Sequence, residues 1–112
     1  MPLEVRQNGD VLILVPSEAR LDAQAAIPFR DDFTREAGAH AGPVALDLAA
    51  VRFMDSSGLG AVVAGFKQLG AGRRLVIFNA APPVKKLFQM TRIDKVLPLV
   101  DSEAEAVARA GA

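Results

Sequence analysis

Asp55-Ser56-Ser57-Gly58-Leu59-Gly60 places one carboxylate, two hydroxyls and two glycines within six residues. It falls where an apolar strand pattern, Val44 to Phe53, gives way to an amphipathic helical pattern running to about Gly72. The first backbone N–H groups of a helix lack intrahelical partners and the macrodipole favours negative charge there, so such an end can hold a phosphate. Taken by itself, Ser56 also reads as an N-cap whose oxygen accepts a backbone N–H, worth about 1 kcal/mol. A cap alone does not account for a second hydroxyl, an adjacent acid and Gly58, a residue that leaves the approach to the helix end open. Asp55 either accepts a hydrogen bond from the loop or positions an incoming hydroxyl.

Other chemistries fit poorly. A serine nucleophile needs a base within hydrogen-bond reach and a group orienting that base. The single histidine, His40, reads as a solvated residue in the loop after the first helix. The motif does not match the Gly-x-Ser-x-Gly elbow of hydrolases. Gly58-Leu59-Gly60 lacks the third glycine and later acid of a dinucleotide fingerprint, and no Gly-Lys-Ser/Thr phosphate loop exists. One histidine without cysteine provides no credible metal ligand set, and Asp31-Asp32 reads as the solvated side of a helix. Lys85-Lys86 and Arg73-Arg74 read as short solvated clusters, the latter also suited to the C-terminus of the preceding helix. No catalytic residue, cofactor or metal is expected.

With 112 residues, a single domain over 1–112 is expected, without room for a separate effector domain. The net charge of zero disfavours direct binding to nucleic acid, which needs a broad basic surface to neutralise phosphates. The lack of cysteine removes disulfide staples and fits a reducing, cytoplasmic setting. Met1-Pro2-Leu3-Glu4 has no basic stretch leading into an apolar one, and the longest aliphatic run is Val11 to Val15, so neither a leader nor membrane insertion is expected.

The elements that must position the motif follow from period and punctuation. Leu3–Arg6 and Val11–Val15 flank Asn8-Gly9-Asp10, a hairpin signal, and the second strand, apolar throughout, is expected to be interior. A helix is predicted from about Gln24 to Gly38 with Phe29, Phe33 and Ala37 inward; Pro28 must lie in its first turn or kink it. Val44–Leu48 and Arg74–Phe78 are strands separated by the helix after the motif, an arrangement implying a right-handed parallel crossover. Pro82-Pro83 open a short helix through about Met90. Val96–Val100, with Pro98, is suited only to a sheet edge, and Ser102 with Glu105 forms a capping box for a last helix. No internal repeat is evident. The expected fold is α/β, a mixed four- to five-stranded sheet packed by about four helices mainly on one face.

On the helix after the motif, Leu59, Val62, Val63, Phe66 and Leu69 fall on one half of the circumference at about 100° per residue, the expected core stripe. The other half holds Ser57, Gly60, Ala61, Ala64, Gly65 and Gln68. Each helix-interior glycine costs about 0.8–1.0 kcal/mol relative to alanine. Either Gly60 and Gly65 pack beneath another segment of the chain, or the smooth face lets a partner's backbone come close.

Residues 42–108, with Asp55–Gly60 unsubstituted, closely resemble the STAS family, specifically the stand-alone anti-sigma factor antagonists. The resemblance implies a regulatory binding module rather than an enzyme. Unmodified, it would bind an anti-sigma factor that is also a serine kinase of the histidine-kinase-like ATPase type, releasing a sigma factor. It implies that Ser56 is the phosphoacceptor, that phosphorylation ends the complex, and that a PP2C-type serine phosphatase restores it. Asp55, Ser57, Gly58, Leu59, Gly60, Ala61, Ala64 and Gly65 are then expected at the partner surface, with Asp22 as an acidic contact at its edge. At Asp22 the chain departs from the family pattern, since Pro16-Ser17-Glu18-Ala19-Arg20 stands where a glycine usually shortly precedes the Leu-Asp pair. Two alternatives have the same module as a non-switching STAS subunit of a transport assembly, or as a partner switch with a non-sigma output. The serine within an intact motif argues against the former.

Overall fold

The computed structural model describes residues 3–111; Met1 and Pro2, part of the segment read for a leader, lie outside them, as does Ala112. The chain opens with an antiparallel hairpin of β1 (Glu4–Asn8) and β2 (Val11–Val15), paired from Glu4↔Val15 to Asn8↔Val11. Its turn depends on Gly9, at φ +60°, a conformation glycine adopts without steric cost. Next come β3 (Arg20–Leu21) and α1 (Ala23–Gly38), then β4 (Val44–Asp47), β5 (Phe53–Met54) and α2 (Ser56–Leu69). The chain finishes with β6 (Leu75–Phe78), α3 (Pro82–Met90), a 3-10 turn over Ile93–Lys95, β7 (Leu99–Val100) and α4 (Glu103–Gly111).

Five strands form one sheet in the order β1-β2-β4-β6-β7, antiparallel only at the first pair. Pro98 stays out of the ladder's donors, and its carbonyl accepts from Ile77 N–H at 2.9 Å, so β7 shrinks to two residues at the edge. The strand pattern predicted to continue from Val44 to Phe53 is broken. β4 stops at Asp47, the chain turns at Ala49-Ala50, and β5 leaves the main sheet to pair in parallel with β3.

Alternation along the interior strands sends side chains to two cores. Leu12, Leu14, Val44, Leu46, Leu75 and Ile77 meet α1, α2 and α3, while Val11, Ile13, Ala45, Val76 and Phe78 meet Ala106 and Ala110 of α4 alone. Helix α1 turns Ala26, Phe29, Phe33 and Ala37 inward, with the two rings 6.0 Å apart and tilted. Pro28 is beyond the first turn but on the exposed side of the helix, where the Gln24 carbonyl that its missing N–H leaves free is not sealed in the core.

The choice left open for the smooth face of α2 is decided at Gly65. This residue is buried, and a Cβ there would lie 2.8 Å from the Phe33 ring. Ala61 is buried with it, and α1 is the element that covers this side of α2. Replacing Gly65 by leucine should therefore destabilise the domain by about 1–3 kcal/mol or more through overpacking. A thermal melt checks this; an unchanged midpoint would mean that α1 does not press on α2.

Helix α4 is tied to the hairpin by charge. Arg6 Nη2 donates to the Glu103 carboxylate, and Asn8 Nδ2 donates to its second oxygen at 2.9 Å. The Arg6 hydrogen bond is the main cause that holds the Glu103 carboxyl below its ordinary 4.5. Stability from a depressed carboxyl is present above that ordinary value and is lost as pH falls through the folded one. Both side chains face solvent, which keeps the effect small. Calorimetric melts at pH 6 and pH 3 should show wild type above Arg6→Gln at the higher pH and the gap narrowing at the lower; a gap that widens in acid would remove this pair from the account.

Candidate functional site

The site is built on two copies of one local unit. Arg20↔Phe53 and Leu21↔Met54 pair in parallel, and each two-residue strand runs directly into an aspartate and then a helix. Asp22 Oδ1 accepts from Gln24 and Ala25 N–H at 3.2 and 3.3 Å, and Asp55 Oδ1 accepts from Ser57 and Gly58 N–H at 2.9 and 3.1 Å. Their backbones match, with φ/ψ −113/−167° and −106/−173°. Two capped helix N-termini thus stand side by side, each satisfying its orphan donors with a carboxylate.

The N-cap of α2 is therefore Asp55 and not Ser56, which occupies the first helical position. Asp55 takes neither role considered for it: it accepts from Ser57 and Gly58 N–H in the first turn of its own helix, and so leaves the Ser56 hydroxyl out of the capping. Ser56 and Ser57 are both exposed, and the Ser56 hydroxyl makes no hydrogen bond among the described residues. Gly58 plays a different part from the one expected. It is buried, and a Cβ there would overlap the Leu21 carbonyl oxygen and lie 2.9 Å from the carbonyl carbon. It lets β3 lie against the first turn of α2; it does not keep the cap open to visitors.

The remaining residues expected at a partner surface divide. Leu59 is buried in the main core, and Ala61 and Gly65 lie beneath α1, so none of the three presents a surface to another molecule. Ala64 is half-buried, and Gly60 is exposed with open space where a side chain would be. Of the predicted core stripe, Leu59, Val62 and Leu69 are buried, while Val63 and Phe66 are only partly covered. Asp22 is brought to the site, though as the cap of α1, with Arg20 Nε 3.5 Å from its other oxygen.

Two apolar residues near these helix starts were not foreseen. Phe53 is 39% exposed with the Arg20 guanidinium stacked 4.2 Å over its ring, and Ile27, in the second turn of α1, is 68% exposed. The available signal was Ile27's place off the Phe29–Phe33 stripe; Phe53 was hidden by being read into a longer strand. His40 takes no part, since its Nε2 lies 3.0 Å from the Asp10 carbonyl in the hairpin turn.

The model of the STAS domain matches residues 2–106. The chain belongs to the STAS domain family. A curated relative, the anti-sigma F factor antagonist of Paenibacillus polymyxa, is 34% identical over 65 residues, which make up 57% of this chain and 56% of the relative. This chain thus matches little more than half of that protein's length. Among solved structures, a STAS domain anti-sigma-factor antagonist protein from Planctomyces limnophilus superposes with TM-score 0.89 at 23% identity over the whole of both chains. The Bacillus cell fate determinant SpoIIAA in its phosphorylated form gives TM-score 0.69 at 25% identity, covering 96% of this chain and 97% of that one.

In this STAS domain the two motif glycines should respond in opposite directions. Gly60→Ala gains about 0.8–1.0 kcal/mol of helix propensity, because nothing lies within contact of the added methyl. Gly58→Ala forces a methyl into backbone and should cost about 3 kcal/mol or more, the upper end for overpacking. Paired chemical denaturation curves measure both; a neutral Gly58→Ala would contradict the close approach to Leu21.

Proposed function

We propose that this STAS domain is an anti-sigma factor antagonist working in the cytoplasm by partner switching, with Ser56 as the phosphoacceptor. Unmodified, it binds an anti-sigma factor that is also a serine kinase of the histidine-kinase-like ATPase type; phosphorylation of Ser56 releases it, and a PP2C-type phosphatase resets it. The observation that carries the reading is the uncommitted Ser56 hydroxyl, exposed at the first position of α2 because Asp55 performs the capping. Family membership and the name of the 34% identical relative support the same role.

The contact surface is revised accordingly. It centres on Ser56, Ser57 and Gly60, with Ala64 at its border and Ile27 and Phe53 as apolar anchors, in place of Ala61 and Gly65. Desolvating those two side chains supplies affinity, and Gly60 permits close approach of the partner's backbone. Asp22 and Asp55 act from behind, by fixing where the two helices begin.

The geometry also bears on how phosphate would act. The first-turn N–H groups of Ser57 and Gly58 are already held by the Asp55 carboxylate. A phosphate on Ser56, carrying about −1.5 to −2 charges, would stand beside that carboxylate and point outward. The helix end then adds little to its stabilisation. Burying it against a packed surface costs several kcal/mol, and about 1.4 kcal/mol already changes affinity tenfold.

Incubation with the kinase and ATP should modify wild type and Ser57→Ala but not Ser56→Ala by mass spectrometry, and Ser56→Ala should keep its melting midpoint within about 1 kcal/mol equivalent because no cap is lost. Phosphorylated protein should melt near the unmodified form while binding the nucleotide-loaded kinase at least about a hundredfold more weakly in calorimetry. Equal affinities would defeat the switch. Modification that persists in Ser56→Ala would move the acceptor elsewhere.

A further inference from the structure

We propose that a cleft at the opposite end of the domain from Ser56 binds a small organic phosphate ester, its anion held by Arg74 and Arg109 and its apolar body against Phe66, Val96 and Pro98. The cleft has a volume of about 330 Å³ and opens between the last turns of α2 and α4 and the segment leading into β7. Phe66 stands ten residues along α2 from Ser56, about 15 Å at 1.5 Å per residue, so the cleft is separate from the switching surface.

Arg73, Arg74 and Arg109 line this one space with no acidic residue among them, and the Arg73 guanidinium turns away to the end of α1, which leaves Arg74 and Arg109 as the cations of the cleft. None of the three has a carboxylate within ion-pair distance among the described residues, and the partners of Arg73 and Arg74 are backbone carbonyls. Arg73 donates to Ala37 and Gly42, which makes it a cap for the end of α1 and not of α2, and Arg74 donates to the carbonyl of Arg109. Glu105, one turn before Arg109 on α4, is held by the Ser102 hydroxyl at 3.2 Å.

Like charges gathered in a half-enclosed space repel one another more than they would on open surface, and an oxyanion relieves that. Guanidinium forks match phosphate and carboxylate oxygens equally in shape. The number of cations favours the doubly charged group over the singly charged one. The remaining wall is apolar: Val96 is 60% exposed and Phe66 only partly covered, so a ring or short chain attached to the phosphate would bury surface that the protein leaves wet.

Nuclear magnetic resonance titration of the intact domain with phenyl phosphate, inorganic phosphate and benzoate tests this. Phenyl phosphate should give saturable amide shifts at Phe66, at 73–76 and at 96–97, about tenfold tighter than either of the other probes. Arg74→Gln combined with Arg109→Gln, both exposed positions, should weaken it about tenfold or more while the melting midpoint stays put. Val96→Ser, which removes apolar surface without adding charge, should weaken phenyl phosphate and leave inorganic phosphate unchanged. Shifts that do not saturate, that cluster at Ser56, or that survive the double arginine substitution would overturn the site. Equal binding of phenyl phosphate and inorganic phosphate would overturn the ligand class.

Discussion

The first turn of α2 can reach its place only because residue 58 has no side chain. Leu21's carbonyl lies where the Cβ would be, and it also receives the Asp55 N–H at 3.4 Å. From that contact the rest of this layer follows. It sets β3 against β5, brings Asp22 and Asp55 into register, and starts α1 and α2 side by side. Two turns farther along α2, the same alignment puts the Phe33 ring over Gly65. The glycines of α2 thus answer to different demands, two of them to close packing inside the molecule and Gly60 to an open outer surface.

Placing carboxylates at both helix starts has an electrostatic result. Each macrodipole's positive end is met at once by its own aspartate, so the surface between the helices presents exposed serine hydroxyls, a guanidinium stacked on a ring, and two apolar side chains. A surface of this kind suits a partner of mixed polarity better than it suits a free anion. A change at the Ser56 hydroxyl would leave the helix start in place, since the group that holds the helix start belongs to its neighbour.

Much of this was legible from period and punctuation. Asn8-Gly9-Asp10 marked the hairpin, the apolar runs at Val11, Val44 and Leu75 marked the interior strands, and Ser102 with Glu105 marked the last helix; in the structure Glu105 N–H does meet Ser102 Oγ at 3.2 Å. The family resemblance located the motif. What escaped has physical reasons. Strands of two residues, such as β3 and β5, are too short to show alternation, and their pairing is a contact between segments far apart in the chain. The duplicated strand–aspartate–helix unit leaves no repeat in sequence, because Arg20-Leu21-Asp22-Ala23 and Phe53-Met54-Asp55-Ser56 share little beyond the aspartate. A helical wheel assigns faces one helix at a time and could not tell that α1 covers Ala61 and Gly65. Asp47 was also passed over. It is buried at the end of β4, with the Ala49 N–H, Asn79 Nδ2 and Arg6 Nη2 around its carboxylate, partners drawn from three separate segments.

The two faces of the sheet are covered unequally: three helices close the side that carries the motif, and α4 alone closes the other. In terms of local opening, the nine-residue α4, which sets Ala106, Val107 and Ala110 on the sheet and a solvent-facing tether on the hairpin, is the element expected to open first. Its amides and those of the strands beneath it would exchange with solvent through such sub-global openings. The register between α1 and α2 lies on the other face of the sheet, so opening of α4 would leave the surface proposed for a partner in place.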